Sequence, residues 1–256
     1  MRATSVRHAL DLLQEHPEAT LMAGGQSVLT QKPPPRLLVD IGRLEELDQL
    51  RLEHDEIVVG PLVRLDQLAR SALIQDHCPL LAHCAAGMGD PQLRHQATLG
   101  GALCDASPWA EPAPVALALD AVIALHTRAG PERVATAEFL RRTATAPSPM
   151  TGVVTEIRIP PATDRWGYVR HARRSWGRPD MIVATVQGRI VLADAPTGPV
   201  RATAAETALA ATANRTRAAR LVPDLITPGT ARHTPHAHRR RLSEVLTDRA
   251  LRQAGW

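Results

Sequence analysis

Two short glycine-bearing stretches carry the residue types that can hold an anionic group. The first is Ala23-Gly24-Gly25-Gln26-Ser27-Val28-Leu29. Adjacent glycines let successive backbone N–H groups turn into one concavity, and the Ser27 hydroxyl adds a donor, a combination suited to a pyrophosphate. The spacing is neither the G-x-G-x-x-G of a dinucleotide Rossmann unit nor the G-x-x-x-x-G-K-[ST] of a P-loop, which argues against both of those nucleotide sites. Taken alone, the stretch also fits an ordinary tight turn. The second stretch is Arg94-His95-Gln96-Ala97-Thr98-Leu99-Gly100-Gly101-Ala102-Leu103, running on through Cys104 and Asp105 to Glu111. It again sets a hydroxyl residue beside a glycine pair, so the chain can approach a large ligand closely.

Other residues point to less. Cys78, Cys84 and Cys104 form no close pair of the kind that ligates zinc or an iron–sulfur cluster. Neither a bound metal nor a disulfide framework is expected, and any redox cofactor must be held by something other than thiolates. His233, His236 and His238 lack a carboxylate or cysteine at ligand spacing and read as an exposed basic linker. The formal charge of +4 owes much to late arginines, including the run Arg239, Arg240 and Arg241. Aromatic residues are only 2% of the chain, too few for the stacking platforms of single-strand nucleic-acid binders. The arginines therefore read as a solvated helix face or a subunit contact, with no nucleic acid expected.

The elements that must position these residues follow from patterning. With 256 residues, 44% of them hydrophobic, the chain can bury a substantial core. Val6, Ala9, Leu10 and Leu13 lie at helical spacing after Ser5, a suitable N-cap. Thr20 to Met22 reads as a strand running into the first glycine stretch, and Leu37 to Ile41 as the next strand. A hairpin is expected from Leu50–Leu52 and Glu56–Val59 across His54 and Asp55. Helical spacing follows at Leu65, Leu68 and Ala69, and again at Leu80, Leu81, Cys84 and Ala85. Val115–Leu119 reads as a helix, and Ala121–Thr127 and Val153–Ile159 as strands. Pro160 and Pro161 disfavour a continuing ladder and mark a domain boundary over 160–164. Beyond it, strands are expected at 168–170, 182–186 and 189–192, and helices at 202–213 and 239–254. No run of eighteen apolar residues and no leader pattern is present, so a cytoplasmic protein off the membrane is expected.

The two stretches, in this order and at this separation, resemble the Ala-Gly-Gly-Gln-Ser-Leu and Thr-Ile-Gly-Gly-Asn signatures of the flavin subunit of the molybdenum hydroxylases, the xanthine dehydrogenase and carbon monoxide dehydrogenase family. The similarity extends to Leu38-Val39-Asp40-Ile41, to Gly89-Asp90-Pro91-Gln92-Leu93-Arg94, to Ala118-Leu119-Asp120-Ala121, to Glu138-Phe139-Leu140 and to Arg201-Ala202-Thr203-Ala204-Ala205-Glu206. It closes with Arg239-Arg240 through Val245-Leu246 to Arg249-Ala250-Leu251, and so covers nearly the whole chain.

The resemblance implies an α+β protein. A two-lobed FAD-binding domain of the p-cresol methylhydroxylase and vanillyl-alcohol oxidase type would span residues 1–160, its lobes dividing near 48–56. A small α/β domain of the carbon monoxide dehydrogenase flavoprotein type would follow over 165–256. FAD would lie between the lobes. Ala23, Gly24, Gly25, Gln26, Ser27 and Val28 match the family's first FAD loop; Thr98, Gly100 and Gly101 match the second, with Ala102 where the family usually has Asn. Glu111 falls where the family has an FAD-contacting Asp, and Arg170 where some relatives carry a Lys near the flavin. Gly152 stands where a Glu is common. Trp109, Trp176 and Tyr168 are the aromatics placed to cover an isoalloxazine or to pack a core. Cys104, inside the second loop, reads as a small packing residue.

Against the family pattern the sequence is expected to lack the usual opening strand, and a strand and its turn around Asp194 to Pro199. The implied role is an electron-transfer oxidoreductase subunit with molybdopterin and iron–sulfur subunits as partners and a small-molecule substrate or acceptor. The alternatives are a free-standing flavoprotein acting on a small organic substrate and a degenerate flavin fold without redox work. No catalytic residue is assigned.

Overall fold

The computed structural model describes residues 1–105, 110–145, 152–174, 177–194, 198–228 and 234–256. Helix α1 (Val6–Glu15) opens the first lobe, capped by Ser5, whose Oγ accepts from the His8 amide at 3.0 Å. Its buried face, Val6, Ala9, Leu10 and Leu12, packs with Val39, Leu44 and Leu47. Strands β1 (Ala19–Met22) and β2 (Leu37–Asp40) pair in parallel. Residues 1–3 run beside β2: the Met1 ammonium donates to the Leu38 carbonyl at 2.7 Å, and the Ala3 amide donates to that of Asp40 at 3.0 Å. No strand opens the chain before α1, as the sequence reading has it, but this short segment makes one isolated bridge, between Arg2 and Asp40.

The second lobe is built on an antiparallel sheet. Strands β3 (Leu50–Glu53) and β4 (Glu56–Val59) form the expected hairpin. His54 and Asp55 both have positive φ, 51° and 61°, the signature of the two-residue turn whose twist matches a hairpin. Short helices follow: α2 (Leu65–Arg70), α3 (Ala72–His77), α4 (Pro79–Gly87), α5 (Pro91–Gln96), α6 (Leu99–Cys104) and α7 (Pro112–Ala118). The sheet is completed by β5 (Val122–Thr127) and β6 (Gly130–Ala135), then, after helix α8 (Thr136–Thr145), by β7 (Gly152–Ile159), in the order β3-β4-β7-β5-β6.

The segment from Pro160 links β7 to β8 (Trp166–His171) without regular structure, and the Ala162 amide is tied to the His77 carbonyl at 2.8 Å. Strands β8, β9 (Met181–Val186), β10 (Arg189–Asp194) and β11 (Gly198–Arg201) form one antiparallel sheet in the order β11-β10-β9-β8. The strand thought missing near 194–199 is thus there, paired from Val191↔Arg201 to Asp194↔Gly198. Successive side chains on a strand face opposite ways, and both faces of this sheet are covered. Ile182 and Ala184 join the core of the second lobe; Met181, Val183, Ile190 and Leu192 pack with α9 (Thr203–Thr212), α10 (Arg215–Ala219) and α11 (His236–Gln253).

Of the run Arg239 to Arg241 only the first is buried, and Arg217, Arg220 and Arg241 are exposed, as a solvated face requires. Arg239 pairs with Asp194, both 2% exposed at the side chain; Arg240 pairs with Asp224, and Arg241 with Glu244. His236 bonds the Ile226 carbonyl, His238 is exposed, and His233 lies outside the described residues. Among the described residues no helix is long and apolar enough to cross a membrane.

Candidate cofactor site

The first glycine stretch leaves β1 and curls into a single 3-10 turn at Val28–Thr30. Gly25 takes φ = 76°, a left-handed conformation that disfavours any side chain. The turn closes through Leu29 N–H to the Gly25 carbonyl at 3.2 Å and Thr30 N–H to that of Ser27 at 3.1 Å. Among the described residues no protein acceptor takes the N–H of Gly24, Gly25, Gln26, Ser27 or Val28. A run of successive unclaimed donors around a left-handed residue is the arrangement that binds an anion.

The second stretch is not a loop. Thr98 caps α6, its Oγ1 accepting from Gly101 N–H at 3.2 Å, and both glycines lie inside the helix. The N–H groups of Leu99, Gly100 and Ala102 are claimed by the carbonyls of Val63, Pro61 and Thr98, each at 3.0 Å. Four successive amides, from Leu99 to Ala102, are therefore taken, unlike those of the first stretch. Its glycine at 100 serves packing, since a Cβ there would sit 2.4 Å from Cβ of Pro61.

The structure brings the two stretches into contact. A Cβ on Gly24 would lie 1.9 Å from the Gln96 carbonyl oxygen, so the first stretch passes against the end of α5 as only glycine permits. Gln26 donates its side-chain amide to that of Gln96, and Ser27 Oγ donates to Asp105 Oδ2 at 2.8 Å. Gln96 and Asp105 are site residues that sequence reasoning left unassigned, although both stand within the second motif. Ala23 lies at the end of β1, and Ala102 is half-buried in α6. Cys104, expected to pack, is exposed at the end of α6.

Glu111 and Arg170 form a separate group. Glu111, 4% exposed, immediately precedes the wholly buried α7, rather than sitting on the surface. Its Oε2 accepts from the Tyr168 hydroxyl at 2.8 Å and lies 3.1 Å from Arg170 Nε, while Oε1 accepts from Arg170 Nη2 at 3.2 Å. Burial pushes the Glu111 carboxyl above its ordinary range, against the opposing pull of the Tyr168 hydroxyl and the Arg170 charge. Burial likewise raises Tyr168 and Cys84, whose Sγ lies 3.6 Å from the Glu111 carbonyl. Tyr168 is core, 5% exposed and edge-on to His83 with ring centroids 5.8 Å apart. Trp109 and Trp176 lie outside the described residues. Among the described residues no hydrogen bond joins this group to the first stretch.

The donor set fits FAD on one count that is specific: five adjacent amides and a left-handed glycine suit a pyrophosphate, and no acceptor among the described residues uses them. Comparison with known proteins agrees. Residues 1–162 match the family described as the FAD binding domain in molybdopterin dehydrogenase. The chain is 29% identical over 164 residues to the glyceraldehyde dehydrogenase medium chain of Sulfolobus acidocaldarius, covering 62% of this chain and 58% of that one. It is 32% identical over 182 residues to caffeine dehydrogenase subunit beta of Pseudomonas sp. strain CBB1, covering 68% and 62%. These alignments span less than two thirds of either relative. A solved structure of carbon monoxide dehydrogenase from Hydrogenophaga pseudoflava superposes with a TM-score of 0.92 at 27% identity, covering 99% of this chain and 96% of the other. With the two-lobed α+β architecture, the amide cradle and the family match in agreement, the chain belongs to the FAD-binding domain family of the molybdopterin dehydrogenases.

Proposed function

We propose that this chain is the FAD-carrying electron-transfer subunit of a molybdenum-dependent hydroxylase or dehydrogenase, working beside iron–sulfur and molybdopterin subunits in the cytoplasm. The five unclaimed amides from Gly24 to Val28 carry the reading. Ala23, Gly24, Gly25, Gln26, Ser27 and Val28 hold the pyrophosphate through the backbone. Thr98, Gly100, Gly101 and Ala102 form the wall behind it, and Thr98 fixes that wall by capping α6. Glu111 holds the Arg170 guanidinium, whose charge favours the reduced, anionic flavin. When bound, FAD supplies the redox chemistry that the amino acids lack. Residues 1–160 and 165–256 act as its two supporting domains.

The test is direct. Purified protein should be yellow, should release FAD on denaturation, and should be isolated with iron–sulfur and molybdopterin subunits when its neighbours are co-expressed. A folded protein that takes up no FAD would overturn the cofactor assignment. A flavin reduced by small organic molecules with this chain alone would overturn the assignment to a complex.

A further inference from the structure

We infer that Asp105 is a retention-setting residue of the amide cradle: its carboxylate opposes the bound phosphate, so that this chain holds its cofactor less tightly than the cradle alone allows. The inference rests on the cofactor reading above and adds a residue and a direction to it.

Ser27 belongs to two structures at once. Its N–H is one of the five unclaimed donors, and its Oγ donates to Asp105 Oδ2 at 2.8 Å. Asp105 is itself anchored as the C-cap of α6, its N–H bonded to the Gly101 carbonyl at 3.1 Å. The carboxylate is therefore fixed one hydrogen bond from a cradle residue, well inside the screening length of roughly 8 Å at physiological salt.

Two consequences follow. The hydroxyl that would serve a phosphate is committed to Asp105, and a negative charge stands where a dianionic pyrophosphate must come. A neutral acceptor at 105 would keep the Ser27 bond and remove only the repulsion.

The experiment titrates apo-protein with FAD, and separately with inorganic pyrophosphate, at low and high salt. Asp105→Asn should bind both probes more tightly, roughly threefold to tenfold at low ionic strength, with the gain shrinking as salt is added. Ser27→Ala, which keeps the charge, should show no such gain. An unchanged or weaker FAD affinity in Asp105→Asn overturns the inference, as does a gain for FAD without one for pyrophosphate. If Asp105→Asn fails to fold by circular dichroism, Asp105→Ser makes the same comparison. Failure of the folded wild type and every variant to bind FAD would instead bring down the cofactor reading on which the inference stands.

Discussion

The hydroxyl of Tyr168 on β8 and the carboxylate of Glu111 at the start of α7 meet at 2.8 Å in the core, 57 residues apart in sequence. Arg170, two residues further along β8, takes the rest of the carboxylate. A buried charge is tolerable when it is both paired and hydrogen-bonded, and Glu111 is held in both ways.

Tyr168→Phe keeps the ring and removes the donor. It should cost about 1–3 kcal/mol in urea unfolding, the range for stranding a buried polar group, with little change in slope. A loss below about 0.5 kcal/mol would mean that Arg170 alone satisfies the carboxylate.

The raised Glu111 carboxyl has a definite sign in stability. The folded protein keeps the proton at a pH where the unfolded chain, near the ordinary value of 4.5, has released it. The contribution of this group to stability is thus fullest below that value and is lost as pH rises through the folded pKa. The melting temperature of wild type relative to Glu111→Gln should therefore fall as pH rises above the ordinary value of 4.5. Parallel curves would show that Glu111 titrates alike in both states.

Gly24 and Gly101 separate packing from tolerance. Gly24→Ala places a methyl 1.9 Å from the Gln96 carbonyl oxygen, a backbone atom that cannot swing away, and should abolish FAD retention and lower stability. Gly101→Ala meets only Thr98 Oγ1, at 3.0 Å, and should fold with a small change in melting temperature. Equal effects of the two substitutions would show that the contact at Gly24 is readily relaxed.

Arg239→Ala should be among the costliest changes outside the cofactor site. Arg239 pairs with buried Asp194 and donates to the Thr227 carbonyl at 3.0 Å, so its loss removes the cation that faces a buried carboxylate at the end of β10. The expected cost is about 3–5 kcal/mol, with much of it recovered in the Asp194→Leu, Arg239→Met double variant. An additive double variant would contradict this.

What the sequence shows of this protein is what local chemistry can show. Ser5 announces α1, the apolar run at 182–186 announces a buried strand, and His54-Asp55 announces a hairpin turn. Helix α6 stays hidden because two glycines, poor helix formers, fall inside it, the first of them required by the close approach of Pro61 rather than by helix propensity. The segments at 1–3 and 198–201 are too short for alternation to reveal, and their pairing is settled by the strands they join. At the site, the paired glycines are legible, whereas the Ser27–Asp105 and Glu111–Tyr168 contacts span 78 and 57 residues and carry no local mark.

Strands β8 to β11 precede α11 in the chain, yet that helix covers part of their second face, where Leu246, Ala250 and Leu251 pack with Met181, Val183, Ile190 and Leu192. During synthesis that face must wait, wet and apolar, until residues 236–253 clear the ribosome. A nascent chain stalled before residue 236 is therefore expected to bind a hydrophobic dye and a holdase chaperone that the folded protein excludes, and dye binding equal to that of the folded protein would disprove it. Helix α11 thus sets when this sheet stops needing protection.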